Sequence, residues 1–116
     1  MLTYESAKEL AESYLQKKTE SQVDYDPVYL AYLQRNDPTY VQKKVALVLT
    51  NSREESFGWI FFYNSKEFVE TGNISYALGG NSPIIINKQT GELWVTGTAQ
   101  PIEFYIERYR AKIGLA

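Results

Sequence analysis

Apolar residues recur at helical spacing near the start of the chain. Ala7, Leu10, Ala11, Tyr14 and Leu15 fall on one stripe, which predicts an amphipathic helix over residues 3 to 18. Thr3 suits the N-cap, and Glu5 in the first turn with Lys17 and Lys18 in the last complement the helix dipole. The pattern then breaks. Asp26-Pro27 reads as an N-cap followed by a first-turn proline. The next residues, Val28-Tyr29-Leu30-Ala31-Tyr32-Leu33, fit a short helix or a strand, and an extended segment is favoured. Asn36-Asp37-Pro38 stops either one, because the residue before proline avoids the helical region.

From Val45 onward the runs shorten to strand length. Val45 to Leu49 and Phe57 to Tyr63 are β-rich, and the polar stretch Asn51 to Ser56 between them reads as a hairpin loop. Asn64 or Ser65 can cap a short helix over Lys66 to Glu70, with Gly72 ending it. Ile84 to Asn87 and Leu93 to Thr96 form a second hairpin around the turn Lys88-Gln89-Thr90-Gly91. Pro101 opens a last helix whose stripe is Ile102, Tyr105, Ile106, Tyr109 and Ile113, and Gly114 closes it. Hairpins imply antiparallel pairing. The expected fold is α+β: one domain over residues 1–116, with an antiparallel sheet of about four strands packed by N- and C-terminal helices on one face.

Composition narrows the chemistry. The 116 residues contain no cysteine and no histidine. Disulfides, thiolate metal sites and a cysteine nucleophile are excluded, as are the commonest general base and zinc ligand. A cysteine-free chain is compatible with a reducing compartment, and a cytoplasmic protein is expected. Twelve basic residues against fourteen acidic ones give a net charge of −2 and no basic run. That balance argues against a nucleic-acid partner, which requires a positive patch to neutralise phosphates. No apolar run approaches the length of a membrane span. Aromatic residues make up 15% of the chain, with ten tyrosines. A tyrosine pairs an apolar ring with a polar tip and suits half-buried positions and interfaces.

Candidate sites are few. The loop Gly79-Gly80-Asn81-Ser82 resembles a phosphate cradle only superficially. A Walker loop requires a lysine, Ser or Thr, and a following helix, whereas Pro83 and a strand follow here. The loop reads instead as a corner: glycines supply positive φ, Pro83 keeps Ser82 extended, and Asn81 can bond its side chain to backbone. Glu54-Glu55 and Glu67/Glu70 are the carboxylate pairs, and surface charge accounts for both. No cofactor or metal site is expected. Tyr25, Tyr29, Tyr32 and Tyr40 crowd one segment and are the candidate partner-binding residues, since clustered tyrosines often anchor interfaces.

The C-terminal two-thirds carries a linked series of motifs. Phe57-Gly58-Trp59-Ile60-Phe61-Phe62-Tyr63-Asn64-Ser65 is followed by Glu70-Thr71-Gly72 and by Leu78-Gly79-Gly80-Asn81-Ser82-Pro83-Ile84. Gly91, Gly97-Thr98-Ala99, Pro101 and Tyr105-Ile106 complete it. Over about residues 45 to 110 this series resembles the immunity protein 35 family. The resemblance implies a small bacterial α+β protein, not an enzyme, that protects its cell by binding a cognate toxin. It also implies fold-defining roles for Trp59, Gly72, Gly80, Asn81, Pro83, Gly91, Gly97, Thr98 and Pro101. The chain departs from the family at about residues 20 to 43, which makes the tyrosine segment a candidate for contacts particular to this member. A housekeeping interaction or chaperone-like role without a toxin is the alternative. A homodimer is plausible through an exposed strand edge at Val45 to Leu49.

Overall fold

The structure is a computed structural model that describes residues 1–22, 27–39, 44–78 and 81–115. Helix α1 spans Tyr4–Glu20 and α2 spans Pro27–Asn36. Strands β1 (Leu47–Glu55) and β2 (Gly58–Ser65) precede helix α3 (Lys66–Thr71) and a 3-10 turn at Ile74–Tyr76. Strands β3 (Ile84–Asn87) and β4 (Leu93–Val95) and helix α4 (Ile102–Lys112) follow. The four strands form one antiparallel sheet in the order β1-β2-β3-β4, so spatial order follows chain order.

The caps follow the local chemistry. The Thr3 hydroxyl accepts the Ser6 N–H at the start of α1. The Ser65 hydroxyl accepts the Phe68 N–H at the start of α3, and Gly72 ends that helix with φ 69°. Pro101 is the extended N-cap residue of α4, and Gly114 follows that helix at φ 82°.

Three expectations are corrected. Residues 28–33 are helical, not extended. Proline at the first helical position fixes φ there, and the spacing of Tyr29 and Tyr32 then places both rings on one face. Second, the polar stretch Asn51–Glu55 belongs to β1 rather than to a loop, and the turn is Ser56-Phe57. These residues are polar because β1 is an edge strand with a solvent-facing side. A register shift between Leu49 and Asn51 interrupts that edge, and the regular strand begins at Leu47 rather than Val45.

The third correction concerns the layers: the helices pack on both faces of the sheet, not one. Side chains alternate along a strand, so β2 and β3 each present two faces. Trp59, Phe61, Tyr63, Ile84 and Ile86 meet Ala7, Ala11 and Leu15 of α1. Ile60 and Ile85 face the other way and join Phe57, Ile106 and Tyr109, with α4 as their cover. All three isoleucines of β3 are fully buried, which is why that run does not alternate with polar residues. The alanines at positions 7 and 11 leave α1 close to the sheet, where the larger β2 aromatics fill the space between.

Candidate functional site

The four candidate tyrosines divide. Tyr25 and Tyr40 lie outside the described residues. Tyr29 and Tyr32 lie on α2, 51% and 56% exposed, with ring centroids 6.4 Å apart and ring planes within 14° of parallel. That separation is within the range for offset stacking. No residue of α2 is buried, and Val28 beside the tyrosines is also exposed. The helix therefore contributes apolar and aromatic surface to the outside rather than to either core. Large aromatics ordered at the surface, with few rotamers to lose, are suited to anchoring a protein partner.

The motif residues converge elsewhere, at the corner that leads into β3. The Asn81 amide donates to the Tyr63 carbonyl of β2. The Ser82 N–H donates to the Tyr63 hydroxyl at 3.2 Å. Both the N–H and the hydroxyl of Thr96 donate to the Pro83 carbonyl, at 3.0 and 2.8 Å. Gly97 lies so close to the Tyr105 ring that a Cβ would fall 2.5 Å from its hydroxyl. Asn81, Pro83, Gly97 and Thr98 thus share the rim of one shallow depression, while Trp59 is buried against α1. Gly91 holds the β3–β4 turn at φ 76°. Gly80 lies outside the described residues. Of the described motif residues, Trp59 is buried in the core, Gly72 and Gly91 have positive φ, and Gly72, Thr98 and Pro101 are exposed.

One buried polar cluster invites a catalytic reading and does not support it. The Asn87 amide donates to the Tyr109 hydroxyl at 3.1 Å, and Tyr109 donates to Glu92 at 2.8 Å. Lys112 closes the chain on Glu92 at 3.0 Å. Burial pushes the Tyr109 hydroxyl up to about 12, and its hydrogen bond with Glu92 adds to the effect while the Asn87 amide opposes it. Lys112 and Tyr109 hold Glu92 below the usual carboxylate range. Neither group is poised to exchange a proton near neutral pH. The network ties α4 to the β3–β4 hairpin. A phenol raised in the folded state stabilises it fully below the unfolded value near 10, and that contribution is lost as pH rises toward 12. Stability measured by urea unfolding is accordingly expected to fall across that window. In Tyr109→Phe the fall should be shallower; an identical slope in both proteins would contradict the assignment.

Among the described residues no group of His, Cys, Asp or Glu could hold a metal ion, and no helix is long and apolar enough to cross a membrane. Glu54 and Glu55 lie on β1, where Glu55 pairs with Arg53 at 2.9 Å. Glu70 faces Lys66 one helical turn away. Arg53 also reaches Glu103 of α4 at 2.6 Å, and that ion pair explains why Arg53 is held above and Glu103 below the ordinary value.

Helices thus cover both faces of a four-stranded meander, and Tyr29 and Tyr32 lie outside both cores. The chain belongs to the immunity protein 35 family, whose model matches residues 5–112. The match extends past the motif-bearing region to take in α1 and α2. The chain is 42% identical over 66 residues to the uncharacterized protein YrhB of Escherichia coli (strain K12), an alignment covering 57% of this chain and 70% of that protein. No solved structure matches the chain.

Sequence reasoning missed one polar feature. The Lys18 Nζ donates to the Tyr63 hydroxyl at 3.1 Å and sits 5.4 Å from the centre of its ring. The sequence places Lys18 at the helix terminus and shows no partner for it. The residues are forty-five positions apart, and only the docking of α1 on β2 brings them together.

Proposed function

We propose that the protein binds a cognate bacterial toxin and neutralises it by steric occlusion, with Tyr29 and Tyr32 as anchors. The observation that carries this reading is the stacked, half-exposed tyrosine pair on a helix with no buried residue. Membership of the immunity protein family supports a protein partner of this kind. Surface charge would tune the rate of encounter more than the final affinity. The absence of cysteine fits action in the cytoplasm.

The test is co-expression with the product of any neighbouring toxin gene, followed by binding to the purified toxin. The protein should protect the cell. Replacing both Tyr29 and Tyr32 by alanine is expected to weaken binding by about a hundredfold or more, since interface aromatics commonly contribute about 2 kcal/mol each. The melting temperature should stay within a few degrees of the original, because neither side chain is buried. Absence of protection, or capture of many unfolded proteins instead of one partner, would favour a housekeeping or chaperone-like role. Full affinity in the double variant would move the interface away from α2.

A further inference from the structure

A second surface feature lies between α1 and the start of β1, beside the corner at Asn81. It is a pocket of about 290 Å³ lined by Val45, Leu47 and Leu78 together with Lys18 and Tyr63. Among the described lining residues, Lys18 is the one charged side chain. No carboxylate pairs with Lys18 among the described residues, whereas Arg53, Lys66 and Lys112 each have an acidic partner. Its strongest polar contact is the neutral phenol.

The hydrogen-bond count at that phenol points the same way. The Tyr63 hydroxyl accepts from Lys18 Nζ and from the Ser82 N–H, which uses both of its acceptor positions. Its own hydrogen has no acceptor among the described residues. Tyr63 is 2% exposed, so the ring cannot swing away to find one. The Asn81 amide, bonded to the Tyr63 carbonyl, fixes the neighbouring wall. An ammonium and a phenolic hydroxyl thus stand 3.1 Å apart, with no acidic or other acceptor partner for either among the described residues. A carboxylate has two oxygens and can accept from both at once. The apolar walls would take the methylene groups that carry it.

We propose that this pocket receives a glutamate or aspartate side chain of a protein partner, paired with Lys18 and the Tyr63 hydroxyl. The inference does not depend on the tyrosine pair of α2, and it can be tested without the toxin. Lys18 stays protonated, because its bond to Tyr63 holds the ammonium above its ordinary value.

The probe is N-acetylglutamate amide, titrated into the full chain and followed through the backbone amide resonances of Ser82 and Leu47. Saturable, millimolar shifts are expected at both. N-acetylglutamine amide, equal in shape but uncharged, should bind about tenfold more weakly, as should the glutamate probe with Lys18→Gln. Tyr63→Phe, which keeps the ring, should weaken the glutamate probe by a similar factor while the fold persists by circular dichroism. Acetate should bind more weakly than the glutamate probe because it leaves the apolar walls uncovered. Equal binding of the glutamine probe, or full binding by Lys18→Gln, would overturn the carboxylate assignment. Acetate binding as tightly as the glutamate probe would overturn the side-chain source, and no shift with any probe would overturn the pocket.

Discussion

Gly58→Ala is expected to lower stability by about 3–5 kcal/mol, enough to leave much of the protein unfolded. A Cβ at this position would lie 2.0 Å from the Ile86 carbonyl oxygen. Backbone atoms of β3 cannot give way as a side chain can, and φ is +152°, a value that L side chains rarely adopt. Gly58 pairs with Glu55 on one side and Asn87 on the other, so any shift would disturb both ladders. Gly97→Ala is the internal comparison. There the obstacle is the Tyr105 ring, which is a side chain only partly buried. Urea unfolding should show a midpoint lowered by about 2 M for Gly58→Ala and by clearly less for Gly97→Ala. Equal midpoints would mean that the close approach of β2 to β3 is not the reason for glycine at position 58.

Tyr109→Ala is expected to cost about 3–5 kcal/mol. The residue is fully buried on α4, with the Phe57 and Trp94 rings 5.1 and 5.4 Å away, and its hydroxyl joins Asn87 to Glu92. Truncation would open a cavity and leave the buried Asn87 amide without its partner. Tyr109→Phe separates the two contributions. It keeps the ring and should cost about 1–2 kcal/mol. Thermal unfolding of the three proteins should therefore rank wild type, phenylalanine, alanine. A phenylalanine variant as unstable as the alanine one would show that the hydroxyl network, not the ring, holds α4 on the sheet.

These two positions also show what could be read from the sequence. Tyr109 was legible as part of the helical stripe with Ile102, Tyr105, Ile106 and Ile113, because a packed helix repeats its apolar residues every third or fourth position. The reason for Gly58 was not. It is a contact with residue 86, and no local signal encodes a close approach between strands. The first helix, the Ser65 cap and the Gly72 stop were legible from capping chemistry. Residues 28–33 were misread because Val, Tyr and Leu are acceptable to both a strand and a helix. Only Pro27 and the spacing of the two tyrosines favoured the helix. The hairpin turn was misplaced because Asn51 to Glu55 are polar for exposure and not for turning. Phe57, within the turn itself, is 3% exposed beneath Tyr109. The tyrosine segment was visible as a cluster, but the position of Tyr29 and Tyr32 outside both cores depends on tertiary structure. The pairing of Lys18 with Tyr63 depends on it as well.

The burial of β3 on both faces bears on how the chain is made. Synthesis delivers α1 first, then the strands, and α4 last. When Ile84, Ile85 and Ile86 leave the ribosome, α1 is already free to cover Ile84 and Ile86. Ile85, Ile60 and Phe57 must wait for residues 102–112. During that interval one side of the nascent sheet is an uncovered apolar surface, open to chaperones or to another unfinished chain. Release of α4 is therefore the step that makes the protein safe to its own cell, and cells that translate the last helix slowly should accumulate more of it in aggregates.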